Sequence, residues 1–160
     1  MPVFQFAYQE FDKDADLPIT MQPLLTNARQ VAQHAYAPYS NFKVGASILF
    51  SDEQIVQGVN IENASYPVGI CAERSALASA ISQYPTKKMV AIAVSYISPQ
   101  GANNFPAVPC GMCRQFISEC EDRNQAPISI LVSGQEGKII LIDTIKHLLP
   151  FSFSGGDLAK

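Results

Sequence analysis

The sequence lacks a basic excess: among 160 residues, 11 Lys and Arg stand against 14 Asp and Glu, a formal net charge of -3. Surfaces that bind nucleic acid normally carry a basic excess or stripe, and Lys87-Lys88 is the only basic pair here. The charge pattern therefore disfavours a nucleic-acid polymer as partner and favours a small molecule. Long apolar runs are missing as well. No stretch of about 18 uninterrupted apolar residues occurs, so no membrane-spanning helix is expected. Met1 to Glu10 shows no basic segment leading into a long apolar one, which gives no expectation of a signal peptide and makes the cytoplasm the expected location.

Low-complexity tracts, internal repeats and a dividing linker are also absent. Histidine is scarce, with His34 and His147 alone, and neither stands in a ligand-like spacing. Cysteine is limited to four residues. In a reducing compartment these are better read as ligands, nucleophiles or core residues than as disulfides.

What is present fits one domain with one sizeable core, preceded by an arm over residues 1–20 that carries Asp12, Asp14, Asp16 and Pro18. The domain covers 21–160. Met21 to Ala35 reads as a helix, with Leu24, Leu25, Ala28, Val31, Ala32 and Ala35 at helical spacing. Phe42 to Phe50 and Gln54 to Ile61 read as a strand hairpin turning at Ser51-Asp52-Glu53. Cys71 to Tyr84 and Gly111 to Glu121 read as helices; Met89 to Ile97, Pro127 to Ser133 and Lys138 to Ile142 read as strands; Thr144 to Leu149 reads as a short helix. The expected fold is α/β: a three-layer αβα sandwich around a mixed sheet of about five strands. The crossover from 89–97 through 111–121 to 127–133 should make that strand pair parallel.

The cysteine spacing carries most of the chemistry. Cys110-Gly-Met-Cys113 follows Pro109 at the start of a predicted helix. Alone it fits a redox pair, half of a structural zinc site, or two core cysteines. Cys120 shares the helical stripe of Cys113, Phe116 and Ile117 and reads as a core residue. The weighing changes with Cys71-Ala72-Glu73, which opens the other long helix. Two helix N-termini offering thiols can converge on one metal, and their positive dipole ends favour the thiolate. Three thiolates fill three corners of a tetrahedron and leave the fourth for water, as in a catalytic zinc site. Glu73, two residues past a ligand, could lean over the metal, take a proton from the activated water and pass it on. An acid in the first turn of a helix is the plainer explanation of an isolated Cys-Ala-Glu; the downstream Pro-Cys-Gly-Met-Cys reverses that preference.

These motifs resemble the cytidine and deoxycytidylate deaminase superfamily, and the cysteine at 71 resembles its small branch in which three cysteines hold the zinc. The similarity extends to Tyr39-Ser-Asn-Phe42-Lys-Val-Gly-Ala46, to Asn60-Ile-Glu62-Asn-Ala-Ser-Tyr66-Pro and to Leu148-Leu-Pro-Phe-Ser-Phe153, and it runs from about residue 22 to 158. It implies hydrolytic deamination of free cytidine and deoxycytidine in pyrimidine salvage, with zinc-activated water and Glu73 as proton shuttle. It implies one Zn2+ per chain on Cys71, Cys110 and Cys113, with softness of the ligands and the family favouring zinc over iron. It implies Phe42 stacking on the pyrimidine, Asn60 and Glu62 holding the ribose 3′-hydroxyl, and Ala72 and Tyr66 as further substrate contacts. It implies a homotetramer in which Phe153 reaches a neighbouring subunit's site.

Arg74, three positions from Cys71, could reach the same helix face and withdraw charge from the thiolates, a role the matching arginine of the Cys-ligated branch is understood to play. The chain departs from the family pattern at Pro106, Ala107 and Val108, at Ser65 and in the loop near 100–106. Two rivals remain at this stage: a related aminopyrimidine deaminase such as those acting on blasticidin S, disfavoured by Asn60-Ile-Glu62, and a zinc-stabilised binding protein without catalysis.

Overall fold

A computed structural model describes residues 1–101 and 103–158. Six strands form one mixed sheet: β1 (Gln9–Phe11), β2 (Lys43–Phe50), β3 (Ile55–Val59), β4 (Met89–Ile97), β5 (Ser129–Ser133) and β6 (Ile139–Ile142). Their spatial order is β1-β6-β5-β4-β2-β3. The pair β4–β5 is parallel, as the crossover rule requires, and the other neighbours are antiparallel. The helices are α1 (Met21–Val31), α2 (Ala72–Gln83), α3 (Gly111–Asn124) and a terminal turn α4 (Gly155–Leu158). No helix of the described residues is long and apolar enough to cross a membrane.

Strand periodicity sorts the core into two layers. Ile92 and Val94 of β4, with Ile130 and Val132 of β5, pack beneath Ala76, Leu77 and Ala80 of α2 and Ile117 of α3. Ala91, Ala93 and Leu131 face the opposite way, against Leu24, Leu25 and Ala28 of α1. The sheet thus lies between α1 and the α2/α3 pair, the expected three layers.

The sheet has six strands instead of about five because part of the amino-terminal segment joins it. Gln9, Glu10 and Phe11 pair with Leu141, Ile140 and Ile139. The burial of Leu17 and the packing of Phe11 against the α1-side cluster help hold the segment in place. Lys138 bridges Glu10 and Asp12, and Arg29 joins Asp14 to the Gly134 carbonyl and the Ser133 hydroxyl. A three-residue strand with acidic neighbours carries too little alternation to be read from sequence.

Two glycines set how closely the helices sit on the sheet. A Cβ at Gly45 would lie 2.2 Å from the Ala28 carbonyl oxygen of α1, and one at Gly58 would lie 2.3 Å from the Ala76 nitrogen of α2. The second contact seats α2, and with it the Cys71–Glu73 segment, directly on β3. Smaller differences lie at element ends. The first helix tightens to 3-10 geometry over Ala32–His34, and the predicted helix near Thr144 is a 3-10 turn at Ile145–His147, with the Thr144 side chain capping Lys146.

Candidate active site

Cys71 and Cys110 are the N-cap residues of α2 and α3, both in extended backbone conformation. Because both helices lie on the same sheet face, their N-termini meet, and Cys113 enters from the first turn of α3. The Cys71 and Cys110 sulfurs are 3.9 Å apart and the Cys110 and Cys113 sulfurs 3.6 Å apart. Zinc–thiolate bonds of about 2.3 Å at tetrahedral angles place sulfurs roughly 3.8 Å from one another. All three ligand atoms lie within 4.8 Å of each other, so the donor set fits zinc in both chemistry and spacing. Cys120, buried two helical turns beyond Cys113, is outside the cluster, and burial raises its thiol to about 11.

The thiols influence one another. The Cys113 hydrogen bond lowers Cys71 to about 6, helped by Cys110 and by the positive charge of Arg74, against burial and the Glu73 charge. Cys113 moves upward as the donor of that pair, and burial adds to the rise. A bound dication draws all three toward thiolate. Arg74 is half-buried beside Met112, Phe116 and Glu119. Among the described residues it makes no hydrogen bond to the sulfurs and reaches Cys71 through charge alone.

Glu73 sits in the first turn of α2 with 5% of its surface exposed. Burial raises its carboxyl above the usual range, against smaller lowering contributions from its own backbone and from Cys113. It lines a cavity of roughly 620 Å³, with Cys71, Ala72 and Cys110 also in the wall. That volume suits a small molecule. Phe42, Asn60, Glu62 and Tyr66 also line the cavity, joined by Tyr39, Ser40, Val94, Ala107 and Val108.

Segment 60–62 is laced into place by backbone bonds. Asn60 N–H donates to the Val44 carbonyl, Tyr36 N–H to the Asn60 carbonyl, and Glu62 N–H to the Tyr36 carbonyl. The Asn60 amide donates to the Phe42 carbonyl and accepts from Val44 N–H. The Glu62 carboxylate accepts from the Ser40 hydroxyl and from the Tyr39 and Ser40 amides, and these bonds, the hydroxyl's foremost, hold its pKa below the ordinary value. Asn41, at a φ of 55°, makes the left-handed turn that presents those amides.

Of the sequence-predicted residues, the fold gathers Phe42, Asn60, Glu62, Tyr66, Cys71, Ala72, Glu73 and Cys110 around the cavity, with Cys113 buried at the sulfur cluster. Phe153 does not line it. The residue is 59% exposed and its carbonyl accepts from Gln115 Nε2. Sequence reading passed over Ser40, although it lies inside the Tyr39–Ala46 motif. It also passed over Arg114, which binds the Pro109 carbonyl at 2.8 Å and the Leu148 carbonyl at 2.9 Å and so fixes the loop entering Cys110. Its position four residues after Cys110, one helical turn on, was the available signal.

Residues 19–126 match the family model for the cytidine and deoxycytidylate deaminase zinc-binding region. The chain is 40% identical over 138 residues to a cytidine deaminase of Halalkalibacterium halodurans, covering 86% of this chain and 96% of that protein. It is 36% identical over 140 residues to a cytidine deaminase of Sporosarcina psychrophila, covering 87% and 95%. The crystal structure of a cytidine deaminase from Burkholderia pseudomallei superposes with a TM-score of 0.71 at 35% identity, covering 82% of this chain and 97% of that one.

Proposed function

The chain belongs to the cytidine and deoxycytidylate deaminase family, and on that premise we propose that it hydrolyses free cytidine and deoxycytidine to uridine and deoxyuridine plus ammonia. One observation carries the reading. A buried carboxylate, Glu73, and the Cys71–Cys110–Cys113 cluster share a cavity with the hydrogen-bonding Asn60–Glu62 segment and the ring of Phe42.

One zinc per chain is held by Cys71, Cys110 and Cys113, and when bound it supplies Lewis acidity that brings a water's pKa toward neutrality. Phe42 offers its ring to the pyrimidine, and Tyr66 closes the rim. Asn60 and Glu62 receive the ribose 3′-hydroxyl. An anionic Glu62 pairs poorly with a phosphate, which favours nucleoside over nucleotide. Glu73 takes one proton from the attacking water and gives it to N3 as the hydroxyl oxygen adds to C4. It then takes the proton of the new C4 hydroxyl and delivers it to the amine, so that the C4–N bond breaks, the C4 carbonyl forms and ammonia leaves. The raised pKa of Glu73 suits a group that must hold a proton between those steps. The backbone at Ala72 helps orient the amino group. Arg74 offsets the negative charge of the thiolates. The reaction belongs to pyrimidine salvage in the cytoplasm. The catalytic domain is 21–160 with residues 1–20 as an arm. Four chains assemble so that Phe153 enters a neighbour's site; its exposure and the full exposure of Phe151 support that assembly.

The test is ultraviolet absorbance of zinc-loaded protein with cytidine, deoxycytidine or blasticidin S, and Glu73→Ala as the blank. Loss of the cytidine band with the unmodified chain alone is expected. Turnover of blasticidin S alone would overturn the sugar-loop assignment, and no turnover of any substrate would favour a non-catalytic zinc protein.

A further inference from the structure

Phe42 is held through its backbone and through one face of its ring. Its N–H donates to Ser40 Oγ at 2.9 Å and its carbonyl accepts from Asn60 Nδ2 at 2.9 Å, so the backbone is pinned on both sides of the residue. The ring lies parallel to that of Tyr96, with centroids 5.0 Å apart and planes 13° from coplanar. Phe42 lines the cavity and Tyr96 does not, which places Tyr96 behind the Phe42 ring. Tyr96 is 6% exposed and belongs to neither of the two core clusters. It stands opposite Val44 in the β2–β4 ladder. Its strand is tied further by Gln135 Nε2, which donates to the Tyr96 carbonyl and the Ser95 hydroxyl.

We infer that Tyr96 is a positioning residue for nucleoside binding: its ring fixes the plane of Phe42 so that the free side of Phe42 is preorganised to receive the substrate base. The inference rests on the proposed deamination of cytidine. A phenylalanine at a cavity wall has rotamers to lose when a base stacks on it, and a parallel ring behind it removes that freedom beforehand. Stacking on the base is made in the ground state and the transition state alike, so its loss raises KM and leaves kcat nearly unchanged. A merely structural tyrosine would instead lower stability and the active fraction, leaving KM in place.

The experiment measures kcat, KM, zinc content and Tm for cytidine with Tyr96→Leu, Tyr96→Phe, Phe42→Leu and the Tyr96→Leu/Phe42→Leu pair. Tyr96→Leu is expected to raise KM about three- to tenfold at unchanged kcat per zinc. Tyr96→Phe, which keeps the stack, restores KM toward the unmodified value. In the Phe42→Leu background, Tyr96→Leu should add little, because the two residues act through one ring. Tyr96→Met, bulky but without an aromatic plane, carries the same expectation if Tyr96→Leu does not fold. An unchanged KM, a loss confined to kcat, or equal KM increases in both backgrounds would overturn the inference while leaving the deaminase reading intact. No turnover by the unmodified zinc-loaded chain would overturn both.

Discussion

Asn60 holds the end of Phe42 in place through a pair of hydrogen bonds that close on either side of Lys43: Nδ2 to the Phe42 carbonyl at 2.9 Å and Oδ1 from Val44 N–H at 2.7 Å. Asn60→Ala leaves a part-buried donor and acceptor unmatched, a loss of about 1–3 kcal/mol. Denaturant unfolding should show that loss together with a raised KM for cytidine.

Glu73 gives a pH signature. A proton-accepting group must be ionised in the free enzyme, and burial raises this carboxyl from its ordinary 4.5. The acid limb of kcat/KM should therefore fall away above pH 4.5, with activity lost as pH drops through the raised value. Glu73→Gln should hold zinc and fold yet lose turnover by about two to four orders of magnitude. A variant with near-normal turnover would remove Glu73 from the chemistry.

Metal removal should expose different cysteine reactivities. With Cys71 lowered to about 6 and Cys120 raised to about 11, at about pH 7 the first is mostly thiolate and the second mostly thiol. Iodoacetamide on chelator-treated protein should label Cys71 well before Cys120, read by mass spectrometry of the peptides. Restoring zinc should protect Cys71 and leave Cys120 as it was.

Gly58 connects packing to the metal cluster. A methyl group there would meet the Ala76 nitrogen at 2.3 Å and the Ala72 carbonyl at 2.9 Å, so α2 must move. Gly58→Ala should lower stability by about 1–3 kcal/mol and weaken zinc binding, since Cys71 and Glu73 move with α2 while Cys110 stays on α3. Gly155→Ala, with open space around its Cβ position, is the control.

Glu121 is a buried carboxylate of a different kind, 4% exposed and away from the cavity. It accepts from Ile128 N–H at 2.9 Å, Ile145 N–H at 3.0 Å and the Thr144 hydroxyl at 2.8 Å. Glu121→Ala strands those donors, and urea unfolding should show a loss of about 2–4 kcal/mol. Turnover per folded molecule should be unchanged.

Sequence periodicity and spacing determined much of this protein. Met89 to Ile97 is a continuous apolar run of strand length, and that run identifies β4 without tertiary information. The Cys-Ala-Glu and Pro-Cys-Gly-Met-Cys motifs name the thiols and the acid because helix-start chemistry is local, confined within one turn. Tertiary structure alone decided what lies far apart in the chain. The 3.9 Å approach of Cys71 to Cys110, 39 positions away, depends on two helices crossing the same sheet face. The sixth strand exists because Phe11 and Leu17 find a cluster to pack against, and three residues of sequence carry too little alternation to reveal it. The stacking of Tyr96 on Phe42 is invisible in sequence for the same reason: it is set by the β2–β4 register, and register is a property of two strands together.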